Sequence, residues 1–176
     1  MNREASSPID VTTTPMPADS AAIRSAFSRF PSGIAALCAA VEGEPVALVA
    51  SSFQVGISLD PPLVLFSVQQ SSTTWPRLRR ATHLGVSILG ADHGEICAQL
   101  AAKDKSARFK DIETIVDADS AVFLPNSALL MKCSIRSETA AGDHRLILLE
   151  VLGVQADTRV EPLIFHGSEF RGLDRR

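Results

Sequence analysis

The chain has 176 residues, 45% of them hydrophobic and 21% charged, with a formal net charge of −3 at pH 7. This length gives one domain with a sizeable core rather than two, and the balance is that of an ordinary soluble globular protein. A pI near 5.8 excludes the electrostatic footprint of a nucleic-acid or anionic-membrane binder, and the short cluster Arg77, Arg79 and Arg80 reads as a solvated helix face.

Residues 1–18 are rich in Pro, Ser and Thr and cannot build a core, so a disordered tail is expected there, with a single domain over 19–176. Asp19 or Ser20 can cap a short helix with Ile23, Phe27 and Phe30 on one face, ended by Pro31. The apolar runs "GIAALCAAV" and "VALVASSF", separated by "EGEP", read as a β-hairpin. A strand "PLVLFSVQ" follows Pro61, and the polar "QSSTTWPRLRRA" leads to the strand "HLGVSIL". Asp92 and Glu95 have capping-box spacing for a second helix with Ile96 and Leu100 on one face. The segment "KDKSARFKDIETIVDADSAVFLPNS" has no clean period and is expected to be a long, largely irregular connection. Two long strands, "ALLMKCSIRS" and "RLILLEVLGVQA", precede a short "PLIFH".

About six strands with a few short helices inserted between them imply a mainly β fold. Strands apolar on both faces point to a closed or split β-barrel with covered walls, or to a sheet buried in an oligomer. The hairpin connections are too short for crossover helices, which disfavours a doubly wound sheet.

Cys38, Cys97 and Cys133 are odd in number, far apart and set in apolar stretches without C-x-x-C spacing. They are expected to be buried thiols of a reducing compartment. No charged-then-apolar leader and no apolar run of bilayer length is evident, so a cytoplasmic location without a membrane partner is expected. His83, His93, His144 and His166 show no ligand spacing, and no metal site is expected. Neither a G-x-G-x-x-G fingerprint, a P-loop nor a G-x-S-x-G elbow occurs. If the protein is an enzyme, its chemistry is expected from a bound organic cofactor.

What remains is a series of polar stretches beside apolar strands. "FPSG" (30–33) sets a hydroxyl and a Gly at a helix-to-strand junction, and "VASSFQVGISLDPPLVLF" (49–66) offers Ser51, Ser52 and Ser58 beside Phe53. Small side chains with accessible amides suit a planar heterocycle and a phosphate. "QSSTTW" offers hydroxyls, "KDKSARF" offers Lys103, Lys105 and Arg108 beside Phe109, and "GDH" places His144 in a turn where it could meet a ligand near neutral pH. Each also has a plain reading as a helix stop, strand connection, cap, solvated charge or structural turn. Taken singly, the plain reading is the commoner one for all but the serine-rich stretch, where the two weigh equally.

In order along the chain, however, "FSRFPSGIAALCA", "ASSFQVGISLDPPLVLF", "SSTTWPRLRRATHLGVSIL", "LAAKDKSARF", "AGDHRLILLEV" and "PLIFHGSEFRGL" resemble the flavin reductase-like family over roughly residues 23–173. The resemblance implies an FMN-binding split β-barrel with a few short helices. It also implies an NAD(P)H:flavin oxidoreductase using NADH or NADPH to reduce FMN or FAD. Such proteins form homodimers and often serve as the small component of a two-component flavin monooxygenase. By position, Ser32 matches a hydroxyl beside the flavin, and Ala50, Ser51, Ser52 and Phe53 match the segment lining the isoalloxazine ring. Ser58 and Leu59 match the turn holding the ribityl-phosphate side, with Arg108 and Phe109 near that tail. Ser87 occupies a cofactor-binding position usually filled by Asn. Gly142, Asp143 and His144 match the nicotinamide side, His144 being the candidate catalytic group. Val49, Leu100 and Phe170 stand where Thr, Phe and Tyr are usual. The departures at Val49 and Ser87 motivate an alternative, a flavin-binding carrier or degenerate subunit without reductase activity.

Overall fold

The computed structural model describes residue 13 and residues 15–173, so most of the tail expected over 1–18 lies outside the described residues. The chain is mostly β. Helix α1 (Ser20–Phe27) is capped by Asp19, whose carboxylate accepts from the Ala21 and Ala22 N–H groups, as the sequence predicts. It buries none of its residues; Phe27 and Phe30 are 66% and 78% exposed. Of the three residues expected on one face, Ile23 is half-buried, Phe27 is on the surface and Phe30 lies beyond the helix.

After the short β1 (Ser32–Gly33) come β2 (Ala35–Val41) and β3 (Glu44–Ala50), the expected hairpin. Its two loop residues, Glu42 and Gly43, both have positive φ (56° and 80°), the signature of a type I′ turn that matches strand twist. Strand β4 (Gln54–Leu59) lies in the serine-rich stretch whose plain reading is a strand connection. Its alternation is broken by a bulge, with Gly56 at φ 73° and the register to β5 (Pro62–Gln69) shifting between Gln54 and Ser58. Helix α2 (Trp75–Leu78) and strand β6 (Leu84–Ile88) follow. Helix α3 (Gly94–Leu100) does not use the Asp92–Glu95 capping box. Instead the Gly90 N–H donates to His93 Nδ1 at 3.2 Å, so a 3-10 turn over Ala91–His93 leads into the helix.

Strands β7 (Ile115–Val116) and β8 (Val122–Phe123) form a small pair inside the long connection. The long strands β9 (Leu129–Ala141) and β10 (His144–Ala156) are joined by Gly142 and Asp143, with Gly142 at φ 61° as a type II′ turn requires. Strand β11 (Ile164–His166) pairs with β1 on one side and with β12 (Glu169–Arg171) on the other.

The main sheet is antiparallel, in the order β3-β2-β6-β9-β10-β5-β4. Leu37 of β2, Val46 and Ala50 of β3, Phe66 and Val68 of β5, Val86 of β6 and Ile147 of β10 all belong to one buried cluster. Side chains from β3 and β5, distant in strand order, share that core only because the sheet rolls. Phe66 is fully buried and meets the edge of Trp75 at 5.4 Å between centroids; burial of such a ring contributes roughly 1.5–3 kcal/mol. A second cluster lies on the other face of β2, where Ala36 and Cys38 pack with Cys97, Leu100, Val122 and Leu124. This is why "AALCAAV" is apolar without alternation: both faces are covered, and alanine lets the backbones approach. Among the described residues, no helix is long and apolar enough to cross a membrane.

The outer cover depends on β6. A Cβ on Gly85 would sit 2.1 Å from the Val122 carbonyl oxygen, and two residues on the Ser87 hydroxyl accepts the Leu124 N–H at 3.0 Å. Ser87 is thus wholly buried and fastens the 121–124 segment to the sheet.

All three cysteines are free and buried. Burial pushes Cys38 and Cys133 up to about 12 and Cys97 to about 11, from an ordinary 9.0. At about pH 8 the thiols remain protonated, so a colorimetric thiol reagent should find none in the native protein and all three after denaturation. Because folding holds these protons, their contribution to stability is complete below pH 9.0 and drains as pH rises toward 11 to 12. A native protein that titrates at once with the reagent would contradict this packing.

Candidate active site

The link Ser51–Phe53 between β3 and β4 carries the chemistry-bearing serines, and two clefts share Ser51 and Ser52 as a wall. The Ser52 hydroxyl accepts the Ser67 N–H and donates to the Ser67 carbonyl, both at 3.1 Å, so one side chain stitches the link to β5. The first cleft, of about 820 Å³, lies between Leu48–Ser52, Ser67–Gln69, the loop Ser71–Thr74, and Leu100, Ala101, Lys103, Arg108 and His144. Its size matches that of sites for small molecules and cofactors.

One end of this cleft is cationic and rich in hydroxyls. Arg108 Nε donates to Ala102 O at 2.8 Å, and its Nη1 donates to Ala47 O at 2.9 Å and to the Thr74 hydroxyl at 3.4 Å. Desolvation lowers its pKa from the ordinary guanidinium value. Lys105 ties its loop to the opposite wall by donating to the Thr73 carbonyl (3.1 Å) and hydroxyl (2.7 Å). Ser72 is occupied in part as a cap, accepting the Trp75 N–H at 3.2 Å.

The other end is formed by small residues and His144. His144 opens β10, pairs across the sheet with Gln69, and keeps its Nδ1 2.7 Å from Asp143 Oδ1. That contact holds the Asp143 carboxyl below its ordinary value. With Nδ1 turned toward the carboxylate, Nε2 is the ring nitrogen available to a ligand. The turn itself is pinned by the residue after β5: Gln70 Nε2 donates to Gly142 O at 2.7 Å and the Gln70 N–H to Asp143 O at 2.9 Å.

The second cleft, of about 840 Å³, is walled by Phe27, Phe30, Ser32, Gly33, Ser51–Val55 and Phe165. The phenylalanines left uncovered by α1 thus face a cavity instead of the core.

The structure brings Ala50, Ser51, Ser52, Arg108 and His144 to the first cleft, and Ser32, Ser51, Ser52 and Phe53 to the second. Gly142 and Asp143 form the turn that carries His144. Ser58 and Leu59 stand on β4, paired with Leu63 and Pro62, and line neither cleft; Leu59 is 88% exposed. Phe109 packs against the second core cluster, beside a small pocket next to Arg108. The Ser87 hydroxyl accepts the Leu124 N–H in a fully buried position, and Ser87 lines neither cleft. Sequence reasoning did not single out Gln70, Gln99 or Phe165. No local pattern marks a glutamine amide that meets a carbonyl far along the chain.

The "Flavin reductase like domain" family matches residues 27–174 of the chain. FMN reductase (NADH) SmoA of Agrobacterium fabrum is 30% identical over 158 residues, covering 90% of this chain and 88% of that protein. The reductase subunit HsaB of a flavin-dependent monooxygenase from Rhodococcus jostii is 26% identical over 86% of this chain and 76% of its own length. Among solved structures, the NADH:FAD oxidoreductase SgcE6 of Streptomyces globisporus, in complex with NAD and FAD fragments, superposes with a TM-score of 0.85 at 26% identity. The match covers 93% of this chain and 98% of that one.

Proposed function

The chain belongs to the flavin reductase-like domain family, and from that premise we propose that it is an NAD(P)H:flavin oxidoreductase. NADH, the donor named for the relatives, or NADPH is the donor and FMN or FAD the acceptor. The observation that carries this reading is the first cleft, which joins a cationic, hydroxyl-rich end to a small-residue end closed by His144. Those two ends suit a phosphate tail and a planar ring.

When bound, flavin supplies the hydride acceptor for the C4 hydride of the reduced nicotinamide. The chain's own residues bind and orient. Arg108, Lys103 and the Ser71–Thr74 hydroxyls hold the phosphate; Ala50, Ser51 and Ser52 lie along the ring without bulk that would block stacking. Phe27, Phe30 and Phe53 wall the neighbouring cleft on the far side of Ser51 and Ser52. His144 Nε2, oriented through Asp143, positions the nicotinamide.

The rolled sheet, whose end strands β3 and β4 are joined only by Ser51–Phe53, is read as a split barrel forming a single domain over 19–176. Val55, Ile57 and Leu59 of β4 and Leu146, Leu152 and Val154 of β10 are exposed apolar side chains, and a homodimer would cover such a face. Three buried thiols fit a cytoplasmic protein. A flavin-dependent monooxygenase is the inferred partner, as the name of HsaB states for its own system. The non-reductase alternative loses its motive at Ser87, which serves the packing of Leu124.

The test uses the chain's single tryptophan, in a sequence without tyrosine. Trp75 is buried next to Thr74, a residue of the first cleft. FMN added anaerobically should quench its emission saturably, and NADH should then be consumed with bleaching of the flavin. Quenching without NADH consumption would leave the carrier reading; neither quenching nor consumption would sink the site.

A further inference from the structure

Among the described arginines, Arg79, Arg80, Arg136, Arg145, Arg159 and Arg171 each meet a carboxylate. Arg108 differs. Its hydrogen bonds run to two carbonyls and a hydroxyl, all neutral acceptors. A partly desolvated guanidinium with only neutral partners favours an anion arriving from the cleft, above all one offering several oxygens.

Its own loop has no regular structure to hold it there: neither helix nor strand lies between Leu100 and Ile115. Gln99 supplies the missing scaffold. Its Nε2 faces three carbonyl oxygens of that loop, Ala107 at 3.0 Å, Arg108 at 3.3 Å and Lys110 at 2.7 Å. An amide nitrogen carries two hydrogens, so three acceptors share them. Without that donor, three carbonyl dipoles pointing at one spot would repel one another and lose their partner together. The base is firm, because Gln99 stands on α3 beside Leu100, which is wholly buried, and near Cys97, 4% exposed.

We infer that Gln99 is a positioning residue that sets Arg108 for the phosphate and so makes the cleft prefer phosphorylated flavins over riboflavin. This rests on the reading of the first cleft as the flavin site. Gln99 touches no part of the ring end, so its contribution is confined to ligands that carry a phosphate.

Dissociation constants for FMN and riboflavin, read from Trp75 quenching, test the inference in the wild type, Gln99→Met, Arg108→Met and the double variant. Methionine keeps the length of glutamine and removes the donor. Gln99→Met should cut the FMN-over-riboflavin preference about tenfold, leaving riboflavin affinity unchanged as an internal check on the fold. Arg108→Met should cut it at least as far, and the double variant should be no worse than Arg108→Met alone. Gln99→Glu, which sets a fourth acceptor among the carbonyls, should lose the preference too. A Gln99→Met protein that keeps the preference, that loses riboflavin and FMN in parallel, or whose loss adds in full to that of Arg108→Met overturns the positioning role. If Arg108→Met itself keeps the preference, the phosphate reading of this end of the cleft fails instead.

Discussion

Gly85→Ala is expected to cost about 3 kcal/mol or more, a large part of a domain's stability, and to show as a collapse of the urea midpoint or as loss of soluble protein. The added methyl would lie 2.1 Å from the Val122 carbonyl oxygen, 2.6 Å from its carbon and 2.9 Å from its nitrogen. All three are backbone atoms, so no side chain can swing aside. Relief would require lifting the 121–124 segment off β6. That movement would break the Ser87–Leu124 hydrogen bond and open the cluster holding Val122 and Leu124. Gly153→Ala is the matched control, since a Cβ there meets nothing within 4 Å; its effect should stay within about 0.5 kcal/mol. Equal midpoints for the two variants would show that β6 does not carry the outer cover as described.

His144→Ala is expected to raise the KM for NADH about tenfold while the FMN dissociation constant moves less than about twofold. The backbone of residue 144 keeps its pairing with Ala141 and Gln69 whatever the side chain, so the hairpin tip survives the change. What is lost is the imidazole at the cleft rim and its contact with Asp143. Steady-state NADH oxidation at saturating FMN, paired with Trp75 quenching, separates the two quantities. An equal loss of flavin and nicotinamide binding would make His144 a structural residue of the turn. A change in neither would remove it from the site.

These two residues differ in how far the sequence anticipates them. The "GDH" turn is legible because its signals are local: Gly at the first loop position, two apolar runs on either side, and an ionisable ring at the start of the second. The same holds for the Glu42-Gly43 hairpin, the Asp19 cap and the run Pro62–Gln69, each matched by the structure. Where local signals misled, a tertiary contact had overridden them. Asp92 and Glu95 have capping spacing, yet His93 closes on Gly90 and begins a 3-10 turn. The alternating "QVGISL" hides behind the bulge at Gly56. The contact of the Ser87 hydroxyl with the Leu124 N–H, 37 positions away, has no local signal at all.

Composition and pattern alone were enough for a mainly β domain, for most of its strands and hairpin turns, and for the family resemblance. Those properties depend on residues a few places apart. The clefts depend on residues far apart. Arg108 reaches the Ala47 carbonyl across 61 positions, and Gln70 reaches Gly142 across 72. The β4–β5 hairpin brings Ser52 against Ser67, and only the tertiary fold sets the 71–74 and 103–108 loops face to face. A side-chain amide or guanidinium acquires its role from the carbonyls that the fold delivers to it, and no periodicity in the chain encodes which ones those will be.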